Sequence, residues 1–543
     1  MGASLRALRA LVLLAGFYLL GLVLLALLAG ADFGAYTAGL RGFALLKLIA
    51  VTGVLAIPIV RGMFMLRTPK GDAEPGVPVG PEQEPVLWQT VREVAEQVGT
   101  RAPDEIVLIA DVNAAVSEDS RLLGLLPGTR RLYLGLPLMT GLDEMQLRAV
   151  LAHEMGHYAN FDTRLTPLIA RGRAQLTRTV GHFHERAAAK VAKERARQEE
   201  KAQKRIAKGK KAHEVDTGGE GATYRAMARI YIAYGRFYLR ATRTSSRRQE
   251  LAADLASVKV AGRDAAASAL RELNALGPAH EFYMNAYATL GLGADLMPRP
   301  GQVFGGLRSL LDARSDELDE MRRELPTEPA DPYDSHPPLA ERVARIEALP
   351  DDGRSHTDAR PALALLSAPE AAQAALEQAV LTPQALALKR VDWPDLVHES
   401  MTAYADRGAQ DVRDAFAAEG AAATDGSTPH PDLDLAAVLD AIDADPALRW
   451  RVADRFPKSE EAAAATGRTA REFARPVVRR LLGRLVTVEL TARATARWEL
   501  SWSEPAALRY PSEEFEEQLE SALEAAAADQ CDTEPLRKLV LAP

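Results

Sequence analysis

Residues 147–159 read LRAVLAHEMGHYA and place two histidines, His153 and His157, four positions apart. Apolar residues recur at intervals of three and four through Asp143–Ala159, which predicts an α-helix over that range. On a helix the two imidazoles share one face and can bind a single zinc ion. Glu154, beside the first histidine, can then reach a zinc-bound water and take its proton. The stretch therefore predicts a zinc site with a hydrolytic water.

A third protein ligand must come from elsewhere, because a catalytic zinc ion is held by three protein ligands and a water. Residues 250–254 read ELAAD and lie on a predicted helix of small residues. Glu250 is the best candidate for the third ligand. Asp254 shares its face and could accept a hydrogen bond from a ligand imidazole. The alternative is that His153 and His157 merely pack on a core helix.

Two apolar runs stand near the N-terminus. Ala10–Ala31 is uncharged and long enough to span a bilayer, which needs about 20 apolar residues. Gly42–Val60 is interrupted once, by Lys47. Basic residues precede the first run and follow the second, so the positive-inside rule predicts a two-span hairpin with the soluble part in the cytoplasm. The alternative is a signal peptide cleaved near Ala31, which would place the soluble part outside the cytoplasm.

Composition excludes several classes of protein. The 543 residues are 47% hydrophobic and 26% charged, which allows a sizeable core and about three domains. The net charge of −8 gives no reason to expect nucleic-acid binding. The single cysteine, Cys531, excludes an intrachain disulfide framework and a cysteine-based zinc site.

A basic segment follows the histidine motif. Residues 171–211 contain 14 Lys or Arg and 4 Asp or Glu, and predict a long charged helical insertion over about 171–212. Two interpretations remain open for this segment. It is either a solvated helix or a surface that contacts anionic lipid headgroups.

Local patterns divide the chain into a membrane hairpin (1–67), a central domain (68–350) and an Ala- and acid-rich C-terminal domain of unknown role (351–543). The fold is expected to be mainly α with a small β-sheet, and the C-terminal domain mostly helical. Thr68–Glu84 is rich in Pro and Gly and predicts a linker. Further predicted helices are Pro85–Val98, Tyr224–Arg243, Arg247–Val260, Pro337–Leu349, Pro369–Val380 and Ser512–Ala528, and predicted strands are Glu105–Ala110, Arg131–Leu136 and part of Leu485–Trp502.

Four blocks, in order, resemble the M48 metallopeptidases, a family that includes heat-shock quality-control membrane proteases and CAAX prenyl proteases. The likeness covers roughly residues 1–350. The blocks are Asp111–Ala114 (DVNA), Leu151–His157 (LAHEMGH), Glu250–Asp254 (ELAAD) and Ser335–Arg342 (SHPPLAER).

The resemblance implies a gluzincin-type peptidase domain that binds one Zn²⁺ per chain, with Glu250 as the third ligand and Asp254 as its supporting carboxylate. It implies that Asn113 lies on an edge strand that pairs with the substrate backbone. It also implies that His336 hydrogen-bonds the oxyanion of the tetrahedral intermediate, and that Arg342 supports that site.

The chain departs from these relatives in one respect. Quality-control members usually carry two further spans between the histidine motif and the third ligand. Here that interval is the basic segment and the amphipathic Tyr224–Arg243, both too charged to span. Prenyl proteases have more spans still, so the departure argues against a prenyl-protease chamber.

The sequence thus predicts a membrane-anchored zinc endopeptidase that cleaves polypeptides at the cytoplasmic face of the cell membrane, in membrane protein quality control. Two alternatives stay open, an extracytoplasmic M48-like protease and a non-catalytic membrane scaffold with a zinc site. No pattern in the sequence predicts the oligomeric state.

Overall fold

The computed structural model describes residues 3–64, 75–118, 128–159, 166–206, 217–328, 337–356, 360–423 and 433–542. Within them the chain is mostly helical with small β-sheets, as the sequence predicts. It forms two compact units. One contains Met1–Gly277 with Asp319–Pro369, and the other contains Pro278–Leu318 with Glu370–Pro543. This division differs from the expected one, because residues 278–318 fold with the C-terminal part of the chain.

The helices and strands are as follows in chain order. The helices are α1 (Ala3–Thr37), α2 (Phe43–Phe64), α3 (Pro85–Val98), α4 (Leu136–Gly141), α5 (Glu144–Ala159), α6 (Thr166–Ile206), α7 (Ala222–Ala261), α8 (Arg263–Tyr283), α9 (Gln302–Ala313), α10 (Ser315–Arg323), α11 (Leu339–Glu347), α12 (Pro369–Val380), α13 (Pro383–Leu386), α14 (Trp393–Ala423), α15 (Leu435–Ala444), α16 (Leu448–Asp454), α17 (Glu460–Ala464), α18 (Gly467–Ala492), α19 (Glu513–Ala527) and α20 (Glu534–Leu536). The strands are β1 (Gly76–Val79), β2 (Glu105–Ile109), β3 (Ala114–Glu118), β4 (Arg130–Gly135), β5 (Leu296–Pro298), β6 (Lys389–Val391), β7 (Arg497–Glu499) and β8 (Ala507–Arg509).

The sheet of the first unit has the strand order β1-β2-β4-β3. Strands β2 and β4 are parallel, and the two outer strands are antiparallel to their neighbours. Strand β1 lies within the stretch expected to be a linker. It is a four-residue edge strand that contains Pro78, which an edge strand tolerates, and it forms by pairing with β2. Strand β3, at the opposite edge, was not predicted from local patterns, but it begins one residue after Asn113, where the family resemblance implies an edge strand.

Three predicted elements are wrong in detail. Tyr224–Arg243 and Arg247–Val260 belong to one 40-residue helix, α7, because the Thr and Ser residues between them do not interrupt a helix as Gly or Pro would. The first part of Leu485–Trp502 is the end of helix α18 rather than a strand. The buried residues Leu482, Val486 and Leu490 of α18 recur every four positions, which is a helical spacing, and within 485–502 only β7 is extended.

The N-terminal helices α1 and α2 contact each other, and the Thr52 hydroxyl of α2 donates a hydrogen bond to the Asp32 carboxylate of α1 over 2.7 Å. Among the described residues, one segment, Ala15–Thr37 in α1, is long and apolar enough to cross a membrane. The apolar part of α2, Phe43–Ile57, is shorter. Large apolar side chains of both helices are exposed, among them Leu19, Leu22, Leu27, Leu46, Val51 and Ile57.

The second unit has its own hydrophobic core, formed chiefly by α14, α15, α16, α18 and α19. A separate aromatic cluster joins Tyr283 and Tyr287 to Trp393 and Trp502. The C-terminal part is therefore a folded, mostly helical body, as the sequence predicts for that region.

Candidate metal centre

Helices α5 and α7 pack closely where they carry the predicted ligands. A Cβ atom on Gly156 would lie 3.1 Å from Ala253 Cα, so glycine permits this approach. Ala149 lies two turns before Gly156 on α5, and Ser257 lies one turn after Ala253 on α7. The buried Ser257 hydroxyl donates a hydrogen bond to the Ala149 carbonyl over 2.7 Å. Gly156 thus faces residue 253 and Ala149 faces residue 257, so the helices run antiparallel.

This packing brings His153, His157 and Glu250 together. One ligand atom from each of the three lies within 4.8 Å of the others. Glu250 Oε2 is 3.5 Å from His153 Nε2, and Glu250 Oε1 is 3.8 Å from His157 Nε2. Zinc bonds of about 2.0–2.1 Å in tetrahedral geometry separate neighbouring ligand atoms by about 3.4 Å. The donor set and its spacing therefore fit zinc.

Further polar groups hold the predicted ligand His153. Its Nδ1 lies 3.1 Å from Asp254 Oδ1. The Arg342 guanidinium donates two hydrogen bonds to the same carboxylate, from Nε over 3.1 Å and from Nη2 over 2.6 Å. Asp254 and Arg342 are both buried. A bidentate pair of this kind fixes the carboxylate, which in turn orients the imidazole so that Nε2 faces the other ligands.

The electrostatics of this cluster stabilise opposite charges on neighbouring groups. Burial lowers the pKa of His153, but hydrogen bonds to Asp254 and Glu250 outweigh it and raise that pKa to about 9. Burial raises the pKa of Asp254, but its hydrogen bonds with His153 and Arg342 hold that pKa below its usual value. In the metal-free chain the imidazole therefore keeps a proton near neutral pH, in the place where a cation would bind.

Glu154 follows His153 on α5 and is half-buried. Its negative charge contributes to the raised pKa of His153, which indicates that the carboxylate lies near the ligand set. A carboxylate in this place, beside the ligands but outside the ligand group, can accept a proton from a water held among them.

Strand β3 is connected to the histidine helix. Tyr158, directly after the ligand His157, donates a hydrogen bond from its hydroxyl to the Val116 carbonyl of β3 over 2.6 Å. Asn113 is exposed and precedes β3, and its carbonyl accepts a hydrogen bond from the Gly135 N–H over 2.8 Å. Backbone groups alternate in direction along a strand. The polar backbone groups of Ala114 therefore point away from β4, towards the open edge.

Of the residues singled out by the sequence, five meet in one cluster: His153, His157, Glu250, Asp254 and Arg342. Asn113 lies beside the edge strand, and His336 falls outside the described residues. The contact of Arg342 with Asp254 was not foreseen, since the resemblance placed Arg342 beside His336. Ser257 and Tyr158 were missed because a serine or tyrosine near a motif carries no distinctive sequence signal.

Taken together, two antiparallel helices present two histidines and a glutamate that could hold one metal ion beside an edge strand, the arrangement expected of a metal-dependent peptidase. Comparison with protein families supports this class. The family model described as peptidase family M48 matches residues 81–349. That part of the chain belongs to peptidase family M48, which confirms the resemblance seen in the sequence. No curated protein and no solved structure matches the chain.

Proposed function

We propose that the chain is a membrane-anchored zinc endopeptidase that hydrolyses unfolded or membrane-bound polypeptides at the cytoplasmic face, in membrane protein quality control. One observation carries the proposal. The ligand atoms of His153, His157 and Glu250 lie within 4.8 Å of one another, inside the segment that matches a peptidase family.

The chemistry follows from the roles of the chain's own residues. His153, His157 and Glu250 would hold the zinc ion, which when bound would supply a Lewis acid and lower the pKa of a bound water to about 7. Glu154 would accept a proton from the attacking water and donate it to the leaving amine. Asp254, held by Arg342, keeps His153 in the tautomer that presents Nε2 to the metal.

The polypeptide substrate adds as a further strand along the open edge of β3, beside Asn113 and Ala114. Main-chain hydrogen bonds at a sheet edge bind an extended chain with little regard to its side chains. The Tyr158 hydrogen bond to Val116 holds this strand at a fixed distance from the histidine helix. By the family resemblance, His336 would bind the oxyanion of the tetrahedral intermediate, with support from Arg342.

The anchor is α1, whose Ala15–Thr37 segment is long and apolar enough to span. Helix α2 returns through the bilayer as the second span, since it packs on α1 and exposes apolar residues such as Leu46 and Ile57. A topology reporter fused after Leu66 tests the orientation. An extracytoplasmic signal there would rule out the cytoplasmic placement.

The mechanism is tested with Glu154→Gln in the full-length protein solubilised in detergent. We expect the variant to keep one zinc per chain and to cleave casein at least about a hundredfold more slowly, the loss typical of a missing general base. Glu144→Gln on the same helix, α5, is the matched control and should cleave normally. Undiminished cleavage by Glu154→Gln would refute the role of Glu154. Bound zinc without turnover in the unmodified protein would favour a non-catalytic scaffold.

A further inference from the structure

Helix α7 is strongly basic and aromatic in the part that precedes the metal site. Residues 222–249 contain seven arginines and no Asp or Glu. The same stretch contains five aromatic residues within 15 positions, namely Tyr224, Tyr231, Tyr234, Phe237 and Tyr238. Arginine mixed with tyrosine and phenylalanine is typical of helices at a membrane–water interface.

One side of this stretch is buried against helices α1 and α6. Tyr231 is fully buried, and its ring centroid lies 5.7 Å from that of Phe17 in α1 and 5.6 Å from that of Phe183 in α6. A Cβ atom on Gly16 would lie 2.7 Å from the Tyr234 hydroxyl, so α1 and α7 approach closely. Helix α7 is therefore held alongside the beginning of the candidate span Ala15–Thr37.

The other side of the stretch is exposed. Ile230 is 38% exposed and Phe237 is 58% exposed. They are seven residues apart and lie on the same side of the helix. Arg229 and Arg236 precede them and are exposed as well. The outer side of α7 thus presents an apolar line with an arginine line beside it.

We propose that this outer side of α7, around Ile230 and Phe237, inserts at the boundary between headgroups and acyl chains of an anionic bilayer. The proposal rests on the membrane anchoring through α1 proposed above. The two apolar side chains would enter the acyl-chain region, and the arginines beside them would extend to lipid phosphates as long basic side chains do. The positive charge, without any carboxylate over 28 positions, favours anionic lipid as the occupant.

The same helix carries the metal site. Glu250 follows Phe237 by 13 residues on the uninterrupted helix α7, a distance of about 20 Å at 1.5 Å per residue. The helix that supplies the third ligand is therefore itself part of the membrane anchor. This arrangement places the metal centre where it can reach polypeptide segments that emerge a short distance from the bilayer.

The chain contains a single cysteine, Cys531, so replacing it leaves each variant with one labelling site. In a Cys531→Ser background, Phe237→Cys, Leu22→Cys and Leu255→Cys each carry one environment-sensitive fluorophore. Leu22 in α1 reports the anchor itself. Leu255 is the matched control, because it is an exposed leucine on the same side of α7, about 27 Å beyond Phe237. Each full-length protein is reconstituted in phosphatidylcholine vesicles, with or without phosphatidylglycerol, that contain acyl-chain spin labels.

We expect the probes at positions 22 and 237 to lose about half or more of their fluorescence to the lipid quencher, and the probe at 255 to lose little. Quenching at 237 should be stronger with phosphatidylglycerol. If position 22 is quenched and 237 is not, the inference fails while the anchor stands. If neither is quenched, the anchor itself fails. Equal quenching in both lipid mixtures would overturn the anionic preference.

A second copy of the chain is the competing occupant of this surface. A second copy would protect the fluorophore at position 237 from quenching by aqueous iodide in lipid-free detergent micelles. This protection would occur only at high protein concentration. That result, together with a lack of lipid quenching, would overturn the proposal in favour of a dimer interface.

Discussion

The substitution Gly156→Ala tests whether the close approach of α5 and α7 forms the metal centre. The added Cβ would lie 3.0 Å from Ala256 Cβ and 3.1 Å from Ala253 Cα. Carbon atoms normally pack about 3.5–4.0 Å apart, so the neighbouring atoms of α7 must move away by a few tenths of an ångström. Glu250 lies one turn from Ala253 on the same helix and moves with it. Metal–ligand bond lengths vary by only about 0.2 Å between good sites, so a shift of Glu250 relative to the histidines weakens metal binding.

The magnitudes separate an effect on the site from an effect on the fold. Overpacking costs about 1–3 kcal/mol, and the higher helix propensity of alanine recovers about 1 kcal/mol, which leaves a net loss of about 0–2 kcal/mol. Zinc affinity should fall by at least about tenfold, which is the effect of removing even an orienting partner of a ligand. We therefore expect Gly156→Ala to fold but to bind zinc weakly.

Zinc affinity is measured by competition with a chelator, and folding by urea denaturation. Gly235→Ala is the matched control on α7, since its Cβ would meet no atom within 4 Å. The control should bind zinc as the unmodified protein does. Wild-type zinc affinity and casein cleavage in Gly156→Ala would refute the argument that this contact sets the ligand spacing.

Two further predictions concern the groups around His153. Asp254→Asn should lower zinc affinity by about 10–100-fold and destabilise the fold by about 3–5 kcal/mol, because it leaves the buried Arg342 without its carboxylate. Zinc competition measures the affinity, and urea denaturation measures the stability. An unchanged denaturation midpoint would contradict the prediction. The second concerns pH, because the pKa of His153 in the metal-free fold is raised to about 9. In the unfolded chain it is about 6.5, so the protonated imidazole contributes stability that is complete below about pH 6.5 and lost as pH rises through about 9. Chelator-treated protein should therefore have a lower denaturation midpoint at about pH 9.5 than at about pH 6, whereas its apparent zinc affinity should rise over that range because the metal displaces this proton.

Local sequence patterns predicted several parts of the fold. Helices α3, α5 and α12 and strands β2 and β4 lie within one or two residues of the predicted ranges, because their apolar residues repeat with a clear helical or strand-like pattern. Strand β1 was not predicted, and an edge strand near β3 was expected only through the family resemblance, not from the local pattern. Each is a short edge strand that exists through hydrogen bonds to a neighbouring strand, and its own residues carry little preference for extended structure.

The sequence by itself determined that His153 and His157 share a face of one helix, with Glu154 beside them, because helical periodicity is a local property. It nominated Glu250 and Asp254 through their spacing and a family resemblance. Only the tertiary structure decided that Glu250 reaches the histidines and that Arg342 grips Asp254. These contacts depend on how α5 packs against α7 and on where α11 places its arginine. The physical reason is that apolar burial is non-directional, so it favours packing without specifying which surfaces meet. At this site Gly156 and Ala253, two small residues 97 positions apart in the chain, allow the approach that joins the ligands.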